Sequence, residues 1–141
     1  EAAVGTHKQP YLSGRVEDVM TRNPVTIQAC QPISDLVEQF LVRHFHGLPV
    51  VDNDNRLVGI VRDSEVLSMF ATRDPFAAEY RTVGDIMHVP PFVTGPSETI
   101  QQATMKMFVD GTRFLVVVDE EGSIQGVVTR IDLIRGIRWR D

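Results

Sequence analysis

Cysteine is nearly absent: Cys30 is the only one in 141 residues. A lone thiol excludes an intramolecular disulfide framework and a zinc site built on several cysteines. Long apolar runs are absent as well. The longest, Phe114–Val118, falls far short of the ~20 residues that a bilayer-spanning helix needs. Residues 1–15 hold no apolar stretch of the signal-peptide kind. Positive charge is in deficit: 14 Lys and Arg against 19 Asp and Glu give a net charge of −5 and a pI near 5.3. Nucleic-acid-binding domains usually carry a basic stripe, so this balance argues against one. What is present is ordinary for a globular chain, 43% hydrophobic and 23% charged residues, too apolar for intrinsic disorder. The expectation is a reduced, cytoplasmic protein with no membrane insertion and no nucleic-acid partner.

Catalytic signatures are missing too. No phosphate-binding G-x-x-x-x-G-K-[ST] loop, no G-x-G-x-x-G fingerprint and no nucleophile elbow occurs. His44 and His46 stand two apart, but neither Cys30 nor His88 is placed by the sequence to complete a metal site. The expectation is a protein that is not an enzyme and holds no metal or cofactor. His44 reads as a helix-ending cation, and Cys30 as a structural thiol before a helix.

A duplication organises the chain. Val16–Phe70 and Val83–Ile137 align without a gap: Met20 matches Met87, Pro24 Pro91, Ile33 Ile100 and Gly59 Gly126, each pair 67 residues apart. In each copy an extended piece (Val25–Ile27, Phe92–Thr94) precedes a helical pattern starting at Ile33 or Ile100. Two apolar runs follow, Leu48–Val51 with Leu57–Val61 and Phe114–Val118 with Ile124–Val128, and read as hairpins. Helical spacing returns at Glu65–Phe70 and Asp132–Ile137. The fold class is α+β, β-α-β-β-α twice. A unit of this size leaves one sheet face bare unless the other copy covers it, so the two should pack through their sheets about a pseudo-two-fold axis. Domain boundaries follow: residues 1–15 an N-terminal extension, 16–70 the first repeat, 71–82 a linker with Pro75, 83–137 the second repeat, 138–141 a tail. Apolar residues on the helices after the hairpins (Val66, Leu67 and Phe70; Leu133, Ile134 and Ile137) suggest a homodimer.

The sharpest local signal is Gly126-Val127-Val128-Thr129-Arg130-Ile131-Asp132, running from a strand end into a helix start. Gly126 lets a ligand or another backbone approach closely. Thr129 offers a hydroxyl beside free N–H groups, suiting a phosphate, and Asp132 two acceptor oxygens, suiting a ribose diol. The same Thr-x-x-Asp spacing also fits a helix capping box, and both readings stand at this point. The first copy has Arg62 and Glu65 in the equivalent places, so the duplication reads as functionally asymmetric.

The tandem repeat, its Val-x-Asp-[Val/Ile]-Met openings, the Leu-Pro-Val-Val-Asp strand and Gly126-x-x-Thr129-x-x-Asp132 resemble a pair of cystathionine-β-synthase (CBS) domains, a Bateman module. The resemblance covers Val16 to about Ile137. It implies a regulatory module that binds an adenosine-containing ligand (AMP, ADP, ATP or S-adenosylmethionine), AMP or ATP foremost, in clefts between the repeats. It assigns phosphate and ribose to Thr129 and Asp132, and brings Thr21, Arg22, Val25, His46, Gly47 and Pro49 towards them. Arg22, His46 and Arg130 are candidate counter-charges for a phosphate. A weaker second site would combine Arg62 and Glu65 with Met87, Val93 and Arg113. The resemblance also implies dimers, and an effector domain or partner outside the 141 residues. The alternative is a dimerisation or interaction scaffold with empty clefts.

Overall fold

A computed structural model describes residues 8–71 and 79–141; most of the expected linker lies outside them. The elements run β1 (Gln9–Leu12), α1 (Val16–Val19), β2 (Thr21–Arg22), β3 (Ile27–Gln28), α2 (Ile33–Arg43), β4 (Gly47–Val51), β5 (Leu57–Arg62) and α3 (Asp63–Ala71). The second copy continues with α4 (Val83–Ile86), β6 (Val93–Thr94), α5 (Ile100–Asp110), β7 (Phe114–Val118), β8 (Ile124–Thr129), α6 (Arg130–Ile134) and β9 (Ile137–Arg140).

The periodicities that define the copies become matching local structures. Each hairpin pairs antiparallel, β4 with β5 and β7 with β8, and takes a parallel neighbour, β3 or β6, on its outer side. Both long helices end on a left-handed residue, His44 (φ 55°) and Gly111 (φ 63°). Both hairpin turns hold another, Asn55 (φ 62°) and Gly122 (φ 84°). Each of these pairs is again 67 residues apart.

The copies trade their opening segments. β2 pairs with β8 of the other copy, Thr21 opposite Val127 and Arg22 opposite Gly126. The symmetry-related bridge joins His88 to Ile60. Val16, from the first opening, is buried with Ile100, Met107, Leu115 and Val128 of the second copy. Val83, from the second opening, is buried with Leu36, Leu48, Val50 and Val61 of the first. A third core, Ile60, Phe114 and Val116 with Leu57, Ile124 and Val127 around it, lies between the two sheets. Leu57 and Ile124, like Ile60 and Val127, are duplicates of each other. Duplicates that meet in one cluster lie on the pseudo-two-fold axis, which runs between the sheets as the alignment predicts.

Two features depart from the expectation. The openings contain one-turn helices, α1 and α4, each with an aspartate accepting the N–H three residues earlier: Arg15 N–H to Asp18 at 2.8 Å, Thr82 N–H to Asp85 at 2.9 Å. The helix expected to reach Ile137 stops at Ile134 instead. Gly136 packs so tightly that a Cβ there would come 2.4 Å from Ile100 Cδ1. The chain turns at that glycine, and β9 then pairs antiparallel with β1, Leu12 opposite Ile137 and Gln9 opposite Arg140. Segments expected as extension and tail thus hold a two-stranded ribbon.

Candidate functional site

The strand-to-helix junctions β8–α6 and β5–α3 each face the opening segment of the other copy, because β2 lies along β8 and His88 along β5. The glycine three residues before each junction serves that contact. A Cβ on Gly126 would come 2.5 Å from the Thr21 carbonyl, and one on Gly59 2.9 Å from the His88 carbonyl. Of the two reasons the sequence offered for Gly126, the approach of another backbone is the one seen.

At the β8–α6 junction Asp132 is 3% exposed. Its Oδ2 accepts the Thr129 N–H at 3.0 Å and the Thr129 hydroxyl at 3.2 Å, while the Asp132 N–H points at that hydroxyl at 3.4 Å. This is a closed capping box. The Thr21 hydroxyl, from the other repeat, reaches the same Oδ2 at 3.5 Å. Oδ1 has a different partner, the guanidinium of Arg135 at 2.9 Å.

At the β5–α3 junction the equivalent carboxylate is held by a single residue. Glu65 accepts the Arg62 N–H at 2.7 Å, and the Arg62 guanidinium grips both its oxygens, Nε at 3.0 Å and Nη2 at 2.7 Å. This forked ion pair holds the Arg62 guanidinium above its usual pKa, the hydrogen bond to Glu65 being the largest cause and burial opposing it. The same guanidinium lies over the Phe92 ring, 5.4 Å from its centroid. Beside it opens a cavity of about 320 Å³ lined by His46, Arg62, Asp63, Ser64, Leu67 and Gly111–Phe114, at the small end of the range for ligand pockets.

The structure therefore brings Thr21, Gly126, Thr129 and Asp132 together, with Arg22 beside Gly126. Arg22 turns its guanidinium back to the Glu17 carbonyl at 3.4 Å. Val25 packs against the first repeat's core, and Pro49 lies on β4 opposite Ile60. Gly47 sits where a Cβ would meet the Phe114 ring, and since these two are duplicates the contact again marks the axis. His46 and Arg113 both line the Arg62 cavity. Met87 packs over Gly59. Val93 lines a separate hollow with Glu98 and Lys106. Arg130 lies over the Phe108 ring, 5.8 Å from its centroid, in an apolar groove between α5 and α6. Sequence reasoning passed over Arg135, although three residues beyond Asp132 is helical pairing distance, and Ser64 and Phe92, for which no signal stood out.

Comparison with known proteins names the class that this exchanged duplication defines. The CBS domain family matches twice, over residues 16–72 and 83–138. The chain belongs to that family and is a CBS pair, a Bateman module. It is similar to CBSX2 of Arabidopsis thaliana, whose crystal structure in complex with AMP superposes with a TM-score of 0.79 at 29% identity, over 87% of this chain and 95% of that one. A CBS domain-containing protein of Dictyostelium discoideum is 30% identical over 129 residues, 84% of this chain and 88% of its own. Protein MJ1225 of Methanocaldococcus jannaschii is 26% identical over 138 residues, and this chain spans 48% of its length. Other relatives carry the match as a smaller part: it covers 23% of the inosine-5'-monophosphate dehydrogenase of Bifidobacterium longum, at 32% identity. No helix among the described residues is long and apolar enough to cross a membrane.

Proposed function

We propose that the chain is a regulatory, non-catalytic module that senses an adenosine-containing ligand, AMP or ATP foremost, at the seam between its repeats. One observation carries this reading: Asp132, buried beside Thr129, is met there by Thr21 from the other repeat, so a ligand bound to it engages both halves. The likeness to a CBS pair crystallised with AMP supports the choice of ligand. Asp132 takes the ribose hydroxyls and Thr129 a phosphate or ribose oxygen. The Arg62 cleft is the weaker ribose site, because the guanidinium that forks onto both Glu65 oxygens is only 19% exposed, whereas the one on Asp132 Oδ1 is 63% exposed and easier to displace; Arg113 on its lining suits a phosphate. The module acts as a homodimer, through the apolar helix faces, on an effector domain or partner outside these residues.

A scaffold with empty clefts is the second reading, and the closed Thr129–Asp132 capping box favours it, since capping alone accounts for both residues. Calorimetric titration separates the two. Hydrogen bonds to a charged group contribute roughly 1.5–3 kcal/mol, so Asp132→Ala weakens AMP or ATP about ten- to a hundredfold. Glu65→Ala changes affinity far less. Melting curves of both variants, and of Asp132→Asn, accompany the titration. A stability loss of ~1 kcal/mol with unchanged affinity is the scaffold outcome.

A further inference from the structure

Asp132 Oδ2 is crowded by three donors, two from Thr129 and one from Thr21. Oδ1 has the Arg135 guanidinium, whose side chain is 63% exposed whereas that of Asp132 is 4% exposed. A ribose diol that approaches this carboxylate brings two donors and finds its acceptor capacity at Oδ1, where Arg135 already takes one of the two lone pairs; both hydroxyls seat there only if that guanidinium, which water readily solvates, gives way. We propose that Arg135 is the residue a ligand must displace from Asp132, and that its release is passed to the β1–β9 ribbon.

The link to the ribbon is short. The Arg135 carbonyl accepts the Arg138 guanidinium at 2.8 Å. The next residue, Gly136, accepts the Ser13 N–H at 3.0 Å and donates to the Leu133 carbonyl at 2.9 Å. The side chain that holds Asp132 and the turn that starts β9 therefore belong to adjacent residues, just past the end of a helix of only five residues. A ligand that favours the Arg135-released state shifts the ribbon by that preference alone. The first copy lacks the device. Ser68 stands in the place of Arg135, Glu65 is held by Arg62 from upstream, and α3 runs on to Ala71, nine residues, where α6 stops after five. Arg135 is thus a positioning residue of one cleft.

The proposal rests on the adenosine reading, and its test keeps the two apart. Trp139, the only tryptophan, lies in β9 opposite Pro10 and is 60% exposed, so its emission reports the ribbon. AMP is titrated by calorimetry and by Trp139 fluorescence. Wild type shows heat and an emission change together. Arg135→Ala binds AMP about two- to fivefold tighter, as expected for removing a competing partner whose guanidinium is largely solvated, with the emission change lost. Arg135→Lys restores both. Weaker binding in Arg135→Ala, or an emission change that survives in it, overturns the proposal. Hydrogen exchange without ligand is the independent arm: Arg135→Ala and Asp132→Asn each speed exchange in β1 and β9, and the double variant adds nothing further. Absence of heat with AMP, ATP and S-adenosylmethionine rejects the ligand reading; unchanged ribbon exchange in both variants rejects the coupling, whatever the calorimetry gives.

Discussion

Asp132 and Glu65 occupy the same place in two copies of one motif and differ by a single methylene. Both accept the backbone N–H three residues earlier. The longer Glu65 also reaches the forked guanidinium of Arg62 three residues upstream, whereas Asp132 meets the shorter Thr129 there and takes its guanidinium, that of Arg135, from three residues downstream. That asymmetry was legible, because Arg62 and Glu65 can be read off the alignment. The occupancy of Asp132 Oδ1 was not, since it depends on how Arg135 folds back from the helix end. Two carboxylates, Asp85 and Glu98, bear on the response to acid. Asp85 is held below its ordinary pKa by the N–H groups of Arg81 and Thr82. Burial opposes ionisation of Glu98, but Lys106 and the Gly95 N–H outweigh it and its pKa is lowered too. A carboxylate whose folded pKa lies below its unfolded value stabilises fully above the unfolded value, ~4, and loses that contribution as pH falls through the folded one. Melting temperature is therefore expected to hold steady above about pH 5 and fall below it. Asp85→Asn should flatten that acid slope in melts recorded from pH 3 to 7; an identical slope in the variant denies Asp85 the role.

Helix ends show where sequence reading succeeds and where it stops. The long helices α2 and α5 and both hairpins were legible because their apolar periods run through whole elements. α1 and α4 are one turn each, too short for a period to register. The end of α6 was misread because Leu133, Ile134 and Ile137 fit a helical face as well as a turn followed by a strand; the close fit of Gly136 against Ile100 decides between them, and that contact lies outside any local window. The C-caps give an element-scale prediction. His44 adopts the left-handed conformation that Gly111 supplies in the second copy, and a side chain pays a strain there that glycine avoids. His44→Gly is expected to stabilise by about 0.5–1 kcal/mol, measured by urea denaturation; destabilisation would mean that the imidazole makes a compensating contact.

At the scale of the molecule, both helical faces carry exposed apolar side chains: Leu41 (71%) and Phe70 (80%) in the first copy, Phe108 (72%) and Ile134 (56%) in the second. Patches of this kind usually mark interfaces. Light scattering at micromolar concentration should give twice the 15.8 kDa chain mass, and Phe70→Glu with Phe108→Glu should halve it. A monomer in the unaltered protein rules the dimer out. The exchange of openings makes a further demand, that neither half has a complete core. Fragments divided between residues 71 and 79 should show little cooperative melting alone and regain it when mixed, as followed by circular dichroism.

That same exchange fixes an order of events during synthesis. The first copy can close once Val83 has left the ribosome, only a little beyond its own last helix. Val16, made early, has no resting place until Leu115 and Val128 emerge, about a hundred residues later, and at ~5–20 residues per second that is a delay of roughly five to twenty seconds. For that interval Val16, Val19 and Met20 stand unsheltered on a nascent chain whose neighbouring repeat can already close.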